Sequence, residues 1–156
     1  MIQYKTKRNN RSLFIYGVML LTLMFIMTAC SSGELTEKDL VEKDGLVYEK
    51  GSSKPFSGMI SEEYPNGNLK YRKRFKDGKY NGSVVEFYEN GKKKVESTYD
   101  MGKRKELYSE WYDNGQQKVR AFYTKGIRDG AYREYNKDGR IKVDTNFRNG
   151  KPIGDN

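Results

Sequence analysis

The chain has 156 residues, 30 Lys plus Arg against 21 Asp plus Glu, a formal charge of +9 and 35% hydrophobic residues, which suits one domain with a thin core. With no His and one Cys, it excludes a Cys/His zinc site, a Ser-His-Asp triad, a Cys-His pair and a disulfide framework within the chain. Sixteen Gly and thirteen Tyr against three Pro point to many short strands joined by glycine turns.

Residues 1–12 carry Lys5, Lys7, Arg8 and Arg11 and no acid, and Leu13 to Met27 form a near-continuous apolar run. A membrane-spanning helix needs about 20 such residues, so the run reads as the helical core of a secretory signal. It ends in Met27-Thr28-Ala29-Cys30, with the sole Cys behind small residues. This ending resembles the lipobox of bacterial lipoproteins, with Met27 where most have Leu. The resemblance implies a diacylglyceryl group on the Cys30 thiol, cleavage before it and acylation of the new N-terminus. The partner at this end would be the membrane, through acyl chains contributing about 0.8 kcal/mol per buried methylene. The expected location is the cell envelope, at the outer membrane or cell surface in a diderm. A plain anchor with an inert Cys is the alternative.

The predicted organisation is therefore a signal peptide over 1–29, a lipidated Cys and flexible tether over 30–43, and a repeat domain over 44–156. The polar, acidic stretch from Ser31 to Asp44 shows no strand alternation and could reach at most about 50 Å when extended. Without residues 1–29, which hold four bases and no acid, the charge is 26 against 21, a spread-out +5 that does not support nucleic-acid binding.

The remainder is one unit read repeatedly. Gly67, Gly91, Gly115 and Gly139 recur every 24 residues, as do Gly78, Gly102, Gly126 and Gly150. Gly58, Gly82, Gly130 and Gly154 keep the same phase, with Glu106 as the exception. Asn66-Gly67, Asn90-Gly91, Asn114-Gly115 and Asp138-Gly139 predict hairpin turns, and a second turn falls at Gly78 and its equivalents. The expected fold is all-β, an elongated single-layer antiparallel meander of hairpins.

Alternation assigns three columns to a buried face. They are Tyr71, Val95, Val119 and Val143; Lys73, Ser97, Ala121 and Thr145; and Phe75, Tyr99, Tyr123 and Phe147. Glu62, Glu86, Glu110 and Glu134 each precede a Lys by eight residues (Lys70, Lys94, Lys118, Lys142). A three-residue turn with left-handed Gly would set each Glu opposite its Lys on the wet face, with Phe87, Trp111 and Tyr135 on the core face. These pairs, rather than a metal site, account for the row of glutamates, since equivalent strands lie about 9.5 Å apart. In that register Tyr88, Tyr108, Tyr112, Tyr132 and Phe122 face solvent and form the candidate binding surface for a protein or glycan partner, unless they pack along their own strands.

Phe75-Lys76-Asp77-Gly78-Lys79-Tyr80-Asn81-Gly82, followed by Tyr88-Glu89-Asn90-Gly91, resembles the MORN repeat. Gly126, Gly130 and Gly139 repeat the spacing, and Lys54-Pro55-Phe56-Ser57-Gly58 looks like an opening half-repeat. The likeness covers residues 44–154. Val84, Tyr108 and Tyr132 stand where the usual repeat has a third Gly, and the period is one residue longer. Both features look like the bacterial MORN-variant group, which includes YwqK-type antitoxin candidates. The resemblance implies a twisted row of hairpins about 40 Å long at ~4.8 Å per strand. It carries over no catalytic residue, metal or cofactor. The expected function is a lipid-anchored binding or scaffolding protein; the alternative is an antitoxin or immunity protein with a toxin partner. A hydrolase using Glu62 and Glu63 is disfavoured, because a flat sheet offers no cleft between two acids.

Overall fold

A computed structural model describes residues 35–154. The signal segment, the lipobox and Cys30 lie outside the described residues. Within them no helix is long and apolar enough to cross a membrane. A turn of 3-10 helix (Glu37–Asp39) leads into a hairpin of β1 (Leu40–Lys43) and β2 (Leu46–Glu49). Nine strands follow: β3 (Gly58–Glu63), β4 (Leu69–Lys76), β5 (Lys79–Phe87), β6 (Lys93–Asp100), β7 (Lys103–Trp111), β8 (Gln117–Thr124), β9 (Ile127–Tyr135), β10 (Ile141–Arg148) and β11 (Lys151–Ile153). They form one open antiparallel meander in which spatial order equals chain order. This is the predicted architecture.

The Asn-Gly turns are the expected three-residue loops. Gly67 N–H donates to the Tyr64 carbonyl at 2.9 Å, Tyr64 N–H donates to the Asn68 carbonyl at 2.7 Å, and Gly67 takes a φ of +83°. The other turns have positive φ at both central residues, for example Asp77 at +48° and Gly78 at +75°, which matches the right-handed twist of the strands they join.

The predicted register fails one step beyond each Asn-Gly turn. Glu63 opposes Leu69, but Glu62 opposes Tyr71, so Lys70 is an extra residue bulged out of β4. The same shift sets Glu86 opposite Val95, Glu110 opposite Val119 and Glu134 opposite Val143. A bulge places two residues against one, and alternation then resumes on the other phase. Each Glu consequently lies on the columned face, and Phe87, Trp111 and Tyr135 lie on the opposite one. The carboxylate is satisfied there: Glu62 accepts from Lys70 Nζ at 2.9 Å and from the Tyr71 hydroxyl at 2.8 Å.

The segment expected to be a tether is structured from Leu35. Thr36 and Asp39 form a capping box, with Asp39 Oδ2 accepting from Thr36 N–H and Oγ1 at 2.9 Å each. This turn and the β1–β2 hairpin sit on the columned face of the first repeat, where Leu35, Leu40 and Val47 pack on the buried cluster of Phe56, Ile60, Tyr71 and Phe75. Glu37 reaches Lys73 at 2.7 Å, and its N–H donates to the Tyr71 hydroxyl at 2.9 Å. The large buried side chains are concentrated here; in the later repeats the columns headed by Tyr71 and Phe75 are half-exposed, while Ser97 and Ala121 of the middle column stay buried.

Glu106 breaks the Gly58/Gly82/Gly130 column at a φ of +63°. A Cβ at Gly82 would come within 3.1 Å of Arg74 Cδ, and one at Gly130 within 3.0 Å of Phe122 Cβ. One period on from Arg74 and one back from Phe122 stands the smaller Thr98, so the middle repeat tolerates a side chain. The left-handed conformation still costs a non-Gly residue about 1–2 kcal/mol, against about 0.5–1 kcal/mol of extra chain entropy for Gly. Glu106→Gly is expected to stabilise the domain by about 0.5–1 kcal/mol, read as a raised urea midpoint at unchanged m. A lowered midpoint would mean that Glu106 makes a contact outweighing the strain.

Candidate functional site

The five aromatic residues of the predicted binding surface do not form one. Tyr88 and Tyr112 belong to a ladder that ties each Asn-Gly turn to the next repeat. The hydroxyls of Tyr64, Tyr88 and Tyr112 donate to the carbonyls of Phe87, Trp111 and Tyr135 at 3.0, 2.8 and 2.9 Å. Beside them the amides of Asn66, Asn90 and Asn114 donate to the carbonyls of Glu89, Asp113 and Lys137 at 2.8, 2.8 and 3.0 Å. The same Asn side chains accept from the N–H two residues on, closing their own turns. In the final repeat these places hold Asn136 and Asp138. Asp138 still accepts from Arg140 N–H but has no amide to extend the ladder. Tyr88→Phe and Tyr112→Phe are each expected to cost about 1 kcal/mol, since each strands a partly buried carbonyl. Urea denaturation checks this, and an unchanged midpoint in both variants would remove the ladder's structural role.

Tyr108 and Tyr132 lie on the columned face, opposite Ala121 from either side, and not on the opposite face where the predicted register set them. The bulge at the Asn-Gly turn moves them there together with the glutamates. Their hydroxyls donate to Glu110 at 3.0 Å and Glu134 at 3.3 Å. Their rings meet Tyr123 and Phe147 edge-on, with centroids 6.2 and 5.7 Å apart. Of the five, Phe122 alone is exposed, on the opposite face with Arg120 5.9 Å from its ring.

The columned face instead presents two arginines that the sequence reading passed over. Positions 80, 104 and 128 share one phase of the repeat and hold Tyr80, Arg104 and Arg128. Tyr80 stacks between Phe75 and Tyr99 at 4.6 and 5.2 Å. In the next repeat the Arg104 guanidinium lies 4.7 Å from the Tyr108 ring, 5.6 Å from Tyr123 and 5.7 Å from Tyr99, whose hydroxyl accepts from its Nε at 2.9 Å. Arg128 lies 4.8 Å from Tyr132 and 5.3 Å from Phe147, with its Nε donating to the Tyr123 hydroxyl at 3.3 Å. Burial pulls the Arg104 pKa down, and the hydrogen bond to Tyr99 together with the surrounding phenols outweighs it, so the guanidinium stays charged. An aromatic-to-Arg change at constant phase was the available signal.

Charge divides the sheet along its length. At the Asn-Gly edge, acids and bases pair: Glu62–Lys70 at 2.9 Å, Glu110–Lys118 at 2.6 Å, Glu134–Lys142 at 2.6 Å and Asp113–Lys137 at 2.7 Å. Three of the four expected Glu–Lys pairs form. Glu86 turns instead to Lys73 at 3.1 Å, leaving Lys94 near the Tyr88 ring. Hydrogen bonds from Lys70 and Tyr71 hold the Glu62 carboxyl below the usual range, and Lys142 does the same for Glu134. At the opposite edge Lys76, Lys79, Lys103, Lys125, Arg148 and Lys151 make no ion pair among the described residues. The concavities there are shallow; one of about 450 Å³ is lined by Tyr99, Arg104, Tyr123 and Ile127. Stacked rings, fixed guanidiniums and a basic rim are means of recognition by contact and charge.

The family model for the MORN repeat variant matches residues 58–77 and 80–101. Those segments cover β3 to β6, and the match supports reading the chain as a MORN-repeat protein. Among curated proteins and among solved structures, no match to the chain is found.

Proposed function

We propose that the chain is a lipid-anchored, non-enzymatic envelope protein whose repeat sheet binds or scaffolds another macromolecule through its columned face. The observation that carries the reading is the uneven cover of that face. The N-terminal segment caps Ile60, Tyr71 and Phe75, whereas the equivalent columns from Tyr99 to Phe147 remain half-exposed and carry ordered aromatic and arginine side chains. A row of stacked rings and charges held by a rigid sheet loses little entropy on docking a partner. Attachment through Cys30 supplies the location, by the lipobox resemblance.

Two measurements test it. Mass spectrometry of the membrane fraction is expected to show a diacylglyceryl-modified peptide beginning at Cys30, absent from Cys30→Ser; an intact Met1 terminus would overturn the lipid anchor. Cross-linking in intact envelopes is expected to give a discrete adduct that Tyr108→Ala with Tyr132→Ala abolishes. An undiminished adduct would remove the columned face from the binding role.

A further inference from the structure

We infer that Arg104 and Arg128 form a carboxylate-binding row, and that the partner of the columned face is an extended acidic peptide segment. The inference rests on the binding role proposed above and specifies its ligand. Each guanidinium is oriented by aromatic rings and has its Nε engaged by a tyrosine hydroxyl, which leaves the terminal N–H fork for a ligand. Neither has a carboxylate within ion-pair distance among the described residues.

The molecule contains its own precedent. Lys73, the cation that the N-terminal segment covers, receives two carboxylates, one of them Glu37 from the covering segment itself. A carboxylate of a covering segment, Glu37, thus already meets a cation of this face at the first repeat. Tyr80 fills the arginine column where that cover reaches, and arginines replace it where the cover is absent. A partner segment of the same chemistry, lying on the later repeats, would supply the carboxylates the arginines lack.

Spacing narrows the ligand further. Equivalent residues of successive repeats are two strands apart, about 9.6 Å. A polyproline II segment has three residues per turn and rises ~3.1 Å per residue, so every third side chain returns to one side after about 9.3 Å. Acids at every third position would meet the two forks in turn. The unpaired lysines along the neighbouring edge would draw such a segment in and make binding salt-sensitive.

The test is fluorescence anisotropy of a labelled Pro-Pro-Glu repeat peptide with the full chain, with a Pro-Pro-Gln peptide as control. Wild type is expected to bind the Glu peptide and not the Gln peptide. Arg104→Gln and Arg128→Gln should each weaken binding about tenfold, and the pair about a hundredfold. Arg140→Gln, which removes the same charge at the Asn-Gly edge, should change it less than about twofold. Urea midpoints confirm that the variants fold, and Arg104→Lys, which keeps charge but loses the fork, should lie between wild type and Gln. Equal binding by the double variant overturns the inference. So does competition by inorganic phosphate or by phosphatidylglycerol vesicles as effective as that by the peptide, which would make the row a phosphate or lipid site. If the envelope adduct is lost with the Tyr108/Tyr132 variant but kept with Arg104→Gln/Arg128→Gln, this inference fails alone and the binding role stands.

Discussion

Lys73→Ala is expected to destabilise the domain by about 3 kcal/mol, at the lower end of what removing one member of a buried ion pair costs. The Lys73 side chain is only 11% exposed, and its ammonium sits 2.7 Å from Glu37, 3.1 Å from Glu86 and 4.8 Å from the Tyr71 ring centroid. Its removal leaves Glu86 uncompensated on an apolar face and cuts the link between the N-terminal cap and the sheet. The cost stays near the lower end because Glu37 is 52% exposed and can recover water. Lys73→Met, which keeps the packed stem, should cost less than Lys73→Ala, and urea denaturation of the two variants separates packing from charge. Equal, small losses would show that the triad contributes little.

The same cluster sets an alkaline limit. Burial lowers the Lys73 pKa, but the hydrogen bonds to Glu37 and Glu86 outweigh it and leave it above the ordinary lysine value. A raised folded pKa means the contribution is complete below the unfolded value of about 10.4 and is lost as pH rises through the folded one. Burial likewise pushes the Tyr71 hydroxyl up to about 12, favouring the neutral phenol, so its share is lost between about 10 and 12. Stability should therefore fall above pH ~10, and tyrosinate absorbance should show a late-titrating component that Lys73→Ala shifts. A titration of all tyrosines near pH 10 would contradict the buried cluster.

Phe75→Ala is expected to cost about 3–5 kcal/mol. Its ring is 6% exposed and packs against Phe56 at 5.6 Å and Tyr80 at 4.6 Å, inside the main buried cluster. In a meander each strand touches chiefly its sequence neighbours, so damage should be local first. Hydrogen exchange should show protection lost in β3 to β5 before β9 and β10. Simultaneous loss along the sheet would mean a single cooperative unit.

Much of this was legible because the repeat writes itself in glycine. Asn66-Gly67 and its equivalents announced the hairpin turns, and the columns headed by Tyr71, Lys73 and Phe75 were placed on the correct face. The pairing of Glu62, Glu110 and Glu134 with their lysines also follows from an eight-residue spacing. The faces of Glu62, Phe87, Tyr108 and their equivalents did not follow, and with them went the candidate surface of Tyr88, Tyr108, Tyr112, Tyr132 and Phe122. The order in residues 35–43 was hidden too, since its partners Ser61, Tyr71 and Lys73 lie a repeat or more away.

The sequence by itself thus determined the period, the turns, the strands and the meander, all of which depend on residues within a few positions of one another. Tertiary structure alone decided which side chains share a face, which face is capped, and that Arg104 and Arg128 stand in line without an ion-paired carboxylate among the described residues. The physical reason is that strand faces alternate with a period of two, so a single bulged residue such as Lys70 reverses every assignment beyond it. No local propensity marks that residue. Its position is set by which cross-strand contacts leave Glu62, Tyr71 and Lys70 all satisfied at once, and those contacts exist only when the strands have met.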